Sequence, residues 1–204
     1  MGHPVFARVF ARLIDCAEPT LTEYRRDLVA GLEGRVAEIG AGTGASFSHY
    51  PPGVHELVAV EPEPYLRGRA VDTARAATVP VRVVDGTAEA LPLETEGFDA
   101  VVASLVLCSV PDLAAALAEI RRVLRQGGEL RFWEHVAARP GSGLRRLQRA
   151  ADAVWPRLGG GCHTARDTVS AIEAAGFTVE RLREFDLHRG PTRPHVLGIA
   201  RKAD

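Results

Sequence analysis

Glu38-Ile39-Gly40-Ala41-Gly42-Thr43-Gly44-Ala45 closes the apolar run Arg35-Val36-Ala37-Glu38-Ile39. A short apolar run ending in alternate glycines reads as a buried strand that bends into a ligand-binding loop and opens a short helix. Glycine alone takes such sharp turns freely and lets a backbone come close to a ligand. Four more short runs follow, at 57–60, 81–84, 98–103 and 129–133. Each is rich in β-branched or aromatic residues and bounded by Gly, Pro or acids, as buried parallel strands are. Helical stretches lie between them. The clearest is 111–125, where Leu113, Leu117, Ile120 and Leu124 form one stripe, with Pro111 and Gly127-Gly128 as punctuation. A further helix is expected over 165–175, with Thr164 as its N-cap, Asp167 three residues on and Gly176 as its stop. Two last strands, about 178–185 and 195–201, flank a turn that holds Gly190, Pro191 and Pro194. The alternation predicts an α/β fold: a doubly wound, mostly parallel seven-stranded sheet closed by a C-terminal antiparallel hairpin strand.

The 204 residues amount to one domain. Its expected parts are an N-terminal helical lid (1–32), a cofactor-binding half (33–136) and a substrate-side half (137–204). In the first part Phe6, Val9, Phe10, Leu13 and Ile14 share a helix face away from Arg8 and Arg12, and a second helix over 21–32 gathers Tyr24, Leu28 and Leu32. Hydrophobic residues make up 46% and charged residues 25%, which excludes a disordered chain. Lys+Arg 25 against Asp+Glu 26 leaves a net charge of −1, so no dedicated nucleic-acid partner is expected. Lys202 is the only lysine, so the body of the chain has no candidate for a Schiff-base or Walker-type lysine. The three cysteines are far apart and form no CxxC pair, which points to a reducing, cytoplasmic location. No apolar run approaches the ~18 residues that span a bilayer, and no signal-peptide pattern opens the chain.

The glycine loop has two readings. Gly40-x-Gly42-x-x-Ala45 satisfies a dinucleotide fingerprint, which needs helix-terminal amides for a diphosphate. Gly40-x-Gly42-x-Gly44 with Glu38 resembles the loop of S-adenosyl-L-methionine-dependent methyltransferases, whose sulfonium cofactor carries no phosphate. Glu61, followed by Pro62, ends the second strand 21 residues after Gly40. An ionised carboxylate there accepts from both hydroxyls of a ribose, which suits either cofactor. Farther on, Asp85-Gly86-Thr87-Ala88-Glu89-Ala90-Leu91-Pro92, the stretch 98–107 and the stretch 119–128 stand in the order and spacing of the class I methyltransferases. The resemblance covers 35–135 and implies a Rossmann-like fold that binds S-adenosyl-L-methionine. The cofactor-binding residues it implies are Glu38, Gly40, Gly42, Gly44, Glu61, Pro62, Gly86, Thr87, Ala88, Ser104 and Leu105. Many relatives place an acid where Thr87 stands, to accept from the adenine amino group. Here the Thr87 hydroxyl, Glu89 and Asp85 are the candidates.

A closer resemblance lies outside the cofactor loops. Leu105-Val106-Leu107-Cys108-Ser109-Val110, Trp133-Glu134-His135-Val136-Ala137-Ala138, Gly161-Cys162-His163-Thr164-Ala165-Arg166 and Arg193-Pro194-His195-Val196-Leu197-Gly198 are similar to stretches of the membrane-associated alkyl thiol methyltransferases of animal cells. Tyr50-Pro51-Pro52-Gly53 matches as well, so this likeness spans about 35–202. It implies a small-molecule methyl acceptor, a small hydrophobic thiol by preference. A phenol, carboxylate, quinone precursor or lipid amine is the alternative within the class. A nicotinamide-dependent oxidoreductase and a non-catalytic cofactor-binding regulator are the alternatives outside it. That family carries an N-terminal membrane anchor. Residues 5–14 here are amphipathic and too short to span, so lid, partner surface and weak membrane-surface contact all stay open.

A thiolate is the effective sulfur nucleophile, and a nearby positive charge or base favours it. Glu134 and His135, at the carboxyl end of the fifth strand, are the leading candidates, with His163 and His195 behind them. Each also has a structural alternative: Glu134 and His135 as partners of the loop before the next helix, His163 as a helix cap, and His195 as a residue of an edge strand. Cys108 and Cys162 read as small packed side chains. No metal site is expected, because Cys162 and His163 are adjacent and no paired ligand motif completes a set. Trp155-Pro156 and Gly159-Gly160-Gly161 read as a movable substrate wall.

Overall fold

In the computed structural model, which describes residues 4–187 and 189–203, the first strand β1 (Gly34–Ile39) pairs in parallel with β2 (Val54–Val60) on one side and β4 (Phe98–Ser104) on the other. β3 (Val81–Val84) lies outside β2, and β5 (Leu124–His135) lies beyond β4. The last strand, β7 (Pro194–Lys202), inserts antiparallel between β5 and β6 (Phe177–Asp186). The order is therefore β3-β2-β1-β4-β5-β7-β6, the doubly wound sheet with a C-terminal hairpin that the sequence predicts. The chain runs outward from β1 through β3, then crosses back to β4. This reversal opens a crevice at the carboxyl ends of β1 and β4, where such sheets bind ligands. The glycine loop and the residues after β4 face that crevice together.

Period-two alternation gives the sheet two buried faces. Ile39, Val101, Ala103 and Phe132 pack under α3 (Leu113–Val123) and α6 (Thr168–Ala174), meeting Leu117, Ile120 and Ile172. Val36, Leu57, Val102 and Trp133 pack on the opposite face against Leu28, Val29, Leu32 and Phe47. Leu28 and Val29 end α1 (Pro4–Val29), a single helix rather than the two expected. Its second half is a wall of the core, with Leu28, Val29 and Leu32 enclosed and Arg131 donating to the Ala30 carbonyl (3.1 Å). The end of the 1–32 segment, expected as a lid, thus belongs to the core wall. In the first half of α1, Ala7 and Ala11 pack on Leu66 of α2 (Pro64–Ala74), and the Arg8 guanidinium lies over the Tyr65 ring. The side chains of Phe6, Val9, Phe10, Leu13 and Ile14 lie outside the described residues. Among the described residues no helix is long and apolar enough to cross a membrane.

Local boundaries shift where side chains choose different partners. No regular helix follows the glycine loop. Gly40, Gly42 and Gly44 all have positive φ (63°, 58° and 79°), and the chain turns into a short 3-10 segment, Phe47–His49. α3 begins after Asp112, whose carboxylate accepts from the Ala115 amide, and gives way directly to β5 at Leu124. α6 is capped by Asp167, which accepts from the Ser170 amide. The Thr164 hydroxyl, expected as that cap, instead donates to the Gln148 carbonyl (3.1 Å) and the Asp152 carboxylate (2.8 Å). Gln148 lies on α4 (Gly143–Ala151), which is followed by the short α5 (Trp155–Leu158).

Candidate active site

The Gly40 and Ala41 amides donate to the Val60 carbonyl at 2.9 and 3.2 Å, so the loop is pinned to the end of β2. Glu61 stands there, 5% exposed. Its Oε2 accepts from the Gly42 amide (2.8 Å) and its Oε1 from the Glu63 amide (2.9 Å). Burial raises its pKa, and those two bonds pull the other way. Each oxygen keeps a lone pair for a further donor. Arg67 holds the same corner: it donates to the Glu61 and Pro62 carbonyls and pairs with Asp85 at 3.0 Å. Pro62 itself is exposed.

The three glycines have different reasons. A Cβ on Gly40 would sit 2.4 Å from the Val106 side chain, and one on Gly44 2.5 Å from the Phe47 ring. A Cβ on Gly42 would meet nothing within 4 Å. Gly40 and Gly44 are therefore packing glycines, and Gly42 borders open space beside Glu61. Gly44→Ala is expected to cost about 1–3 kcal/mol in overpacking, on top of the left-handed backbone penalty. Gly42→Ala carries only the backbone penalty in the unliganded fold, and its larger effect should fall on nucleoside binding. Urea denaturation of both variants, alongside calorimetry with S-adenosylhomocysteine, separates the two. Equal stability losses would refute the distinction.

Glu38 is 2% exposed beneath the loop, where the Tyr50 hydroxyl donates to it at 2.9 Å. Burial pushes its pKa up to about 7, against the Tyr50 bond, Arg25 and Ser46. An acid with a raised folded-state pKa contributes stability that is present below its unfolded value of about 4.5 and is lost as pH rises through about 7. Stability should therefore fall across pH 4.5–7 by up to about 3 kcal/mol from this group. Glu38→Gln should flatten that slope in pH-dependent denaturation. An unchanged slope would assign the loss to other groups.

The remaining predicted cofactor residues line the same rim. Gly86 is fixed by close packing, since a Cβ would meet Pro92 at 2.5 Å and Val60 at 3.1 Å. The Ala88 side chain joins the core, so in this stretch Thr87 carries the exposed hydroxyl. Ser104 is half-buried, and its Oγ has no hydrogen-bond partner among the described residues. Leu105 has φ +57°, unusual for a branched residue, and its amide donates to the Trp133 carbonyl (2.7 Å). Strain of this kind persists where the surroundings over-determine a conformation.

Glu134 supplies that determination. It is fully enclosed; Oε1 accepts from the amides of Val106 (3.0 Å) and Leu107 (2.8 Å), and Oε2 from that of Cys108 (3.1 Å). Burial pushes its pKa up to about 7, and the three N–H bonds oppose this. Of the two roles open to it, proton acceptor or partner of the neighbouring loop, the hydrogen bonds display the second: both oxygens accept from the 105–110 loop and position it. Arg166, absent from the predicted site, grips the same loop by donating to the Leu107 and Val110 carbonyls, each at 2.8 Å.

His135 Nε2 lies 2.9 Å from Cys162 Sγ. Cys108 reaches the same point, and the three donor atoms all lie within 4.8 Å of one another. The Cys162 thiol is pulled down by its hydrogen bonds with Cys108 and then His135, while Cys108 is pushed up. No paired motif marks this cluster in the sequence, because His135 and Cys108 come from distant segments. The His135 ring meets His195 edge-on (6.1 Å), and His195 stacks on Phe185 (5.8 Å). Tyr24 stacks on both Trp133 (5.4 Å) and Phe185 (4.6 Å). A cleft of about 620 Å³ opens beside His195, walled by Val136, Leu144, Leu182, Phe185 and Pro194. His163 contributes its main chain, the amide donating to the Cys108 carbonyl (2.9 Å), and it caps no helix. Trp155-Pro156 and Gly159-Gly160-Gly161, expected as a movable wall, are closed on themselves by Gly161 N–H to the Pro156 carbonyl (2.8 Å), and the chain just after them is held by the His163 amide and by Thr164 on Asp152.

Comparison with known proteins agrees with this geometry. A family model described as a methyltransferase domain matches residues 37–132. The human thiol S-methyltransferase TMT1B is 36% identical over 181 residues, which is 85% of this chain and 74% of that protein. Human thiol S-methyltransferase TMT1A is 34% identical over 180 residues, 85% and 73% respectively. Among solved structures, a SAM-dependent methyltransferase of Thermotoga maritima superposes with a TM-score of 0.70 at 23% identity, covering 98% of both chains. A geranyl diphosphate methyltransferase in complex with SAM gives 0.71 at 16% identity, over 97% of this chain and 90% of that one.

Proposed function

Because this chain belongs to the methyltransferase family that includes the mammalian thiol S-methyltransferases, we propose that it transfers the methyl group of S-adenosyl-L-methionine to a small hydrophobic thiol. The observation that carries the cofactor assignment is the open space at Gly42 beside the buried Glu61 carboxylate. That cradle suits a nucleoside whose sugar diol donates to Glu61. The turn to a 3-10 segment after the loop offers no helix N-terminus for a diphosphate, which disfavours a dinucleotide. Bound there, the cofactor supplies an activated methyl on a sulfonium sulfur.

The chain's own residues do the rest. Glu61 and the Gly42 amide orient the nucleoside, and Thr87 offers a hydroxyl to the base. Leu105, held in its unusual conformation by the Trp133 carbonyl and by Glu134 behind it, shapes the floor where β4 ends. The first half of α1, seated on Leu66 and Tyr65 just after Glu61, covers the crevice and excludes water. The apolar walls of the cleft beside His195, which share its lining with Arg139, Arg145, Arg193, Asp167, Glu184 and Asp186, admit the acceptor's hydrocarbon part, and the similarity to thiol S-methyltransferases supports sulfur as its nucleophile.

The test is labelled-methyl transfer to hexanethiol compared directly with hexanol, a phenol and an amine. Methylation of the thiol alone is the expected result. Preferential methylation of the phenol or amine would overturn the acceptor assignment. Tight binding of a nicotinamide dinucleotide without binding of S-adenosylhomocysteine would overturn the cofactor.

A further inference from the structure

We propose that Cys108 Sγ, Cys162 Sγ and His135 Nε2 form a Zn²⁺ site with one coordination position open for the sulfur of the methyl acceptor. The three donors come from the loop after β4, the last residue of β5 and the turn after α5, and they converge within 4.8 Å. Tetrahedral zinc, with Zn–S near 2.3 Å and Zn–N near 2.0–2.1 Å, spaces its donors by roughly 3.5–3.8 Å. The 2.9 Å contact between His135 and Cys162 has to widen by only roughly 0.6 Å to reach that spacing.

The backbone is arranged to bring the donors together. Glu134 accepts from the Cys108 amide, and Arg166 holds the carbonyls of Leu107 and Val110 on either side of it. A Cβ on Gly161 would lie 2.8 Å from the Ser109 carbonyl oxygen, so glycine is what lets the chain carrying Cys162 pass this close. The His163 amide on the Cys108 carbonyl (2.9 Å) then locks the two cysteine segments side by side. No fourth Cys, His, Asp or Glu donor joins the group among the described residues. Structural zinc sites are closed by four protein ligands, whereas three-ligand sites keep a position for water or substrate. All three donors are buried, and Cys162, partly buried, is the less enclosed of the two cysteines.

Two thiolates and a neutral imidazole balance the dication, so the occupied site carries no net charge into the interior. The two thiol protons leave to solvent as the metal binds. The use of the open position rests on the thiol-acceptor reading above. A thiol taking that position gives its proton to solvent and remains a thiolate. Its lone pair forms the new S–CH₃ bond as the bond from methyl carbon to sulfonium sulfur breaks. The product thioether is neutral, a weak zinc ligand, and departs. Val106 packs on Gly40 and Cys108 follows it by two residues, so a single loop joins the cofactor cradle to the metal trio.

The whole chain, purified under reducing conditions and stripped with a chelator, is titrated with Co²⁺ as the spectroscopic probe and Zn²⁺ as competitor. One equivalent of Co²⁺ should bind, with thiolate-to-metal charge transfer and the strong d–d bands of a tetrahedral ion, and Zn²⁺ should displace it. Cys162→Ser and His135→Ala should each weaken Co²⁺ binding by at least roughly tenfold, with S-adenosylhomocysteine binding reporting that the fold is kept. Hexanethiol should shift the d–d bands and hexanol should not. Failure of the reduced wild-type chain to bind Co²⁺ overturns the site. So does a Cys108–Cys162 disulfide in fresh protein, seen as the loss of two hydrogens in intact mass, if reduction restores no metal binding. Full-rate methylation of hexanethiol by metal-free protein overturns the role of the open position. A Co²⁺ site that responds to hexanethiol in a protein that methylates no thiol supports the metal site and overturns the acceptor reading instead.

Discussion

Glu134→Ala is expected to lower the stability of the chain by about 2–3 kcal/mol, counting ~1 kcal/mol for each of the two buried amides and up to that for the part-buried Val106 amide left without an acceptor. The carboxylate takes the amides of Val106, Leu107 and Cys108, and no water reaches it. Glu134→Gln should be intermediate, because the amide oxygen replaces one acceptor while the NH₂ faces an N–H. Denaturant unfolding measures the loss. Arg166 holds the same loop by two carbonyls, so the fold should survive with the loop displaced. Turnover should then drop more than nucleoside affinity, because Leu105 and Cys108 lose their support while Glu61 and Gly42 keep theirs. A stability change under about 1 kcal/mol would mean that Arg166 alone suffices and that Glu134 is not the anchor.

Glu61→Ala should weaken binding of S-adenosylhomocysteine by about 1–3 kcal/mol, roughly 5- to 150-fold, the scale of hydrogen bonds to a charged group. Two effects add. The ribose loses its acceptor, and the Gly42 and Glu63 amides lose the group that fixes the loop's geometry. Glu61→Gln keeps one acceptor oxygen and should fall between the two. Calorimetry measures both, and unchanged affinity in Glu61→Ala would remove the ribose assignment.

Sequence reading succeeded where the determinant was local and failed where it was a meeting of segments. The near-continuous apolar runs of β1, β2 and β4 announce buried strands because both faces of an inner parallel strand are covered. The place of Glu61, at the end of β2 beside the glycine loop, was legible because it follows directly from the strand and the loop before it. For Glu134 the sequence left two kinds of work open: its neighbours look like an acid–base pair, while its partners are amides 26 to 28 residues back, which no local pattern reveals. Arg67 and Arg166 were passed over because their partners are mostly backbone carbonyls, which leave no trace in composition or spacing. Thr164 matched a capping pattern, yet its hydroxyl found the Gln148 carbonyl and Asp152 across a turn.

The order of residues along the chain thus dictated the sheet, helices α3 and α6 and the bends of the glycine loop, because dihedral preference and apolar periodicity act over a few neighbouring positions. Packing dictated the rest: which carboxylate is sealed, which half of α1 belongs to the core, and that Cys108, His135 and Cys162 share one point. Those outcomes depend on three loops being stacked at the carboxyl ends of β4 and β5, a contact among atoms far apart along the chain that no local pattern encodes.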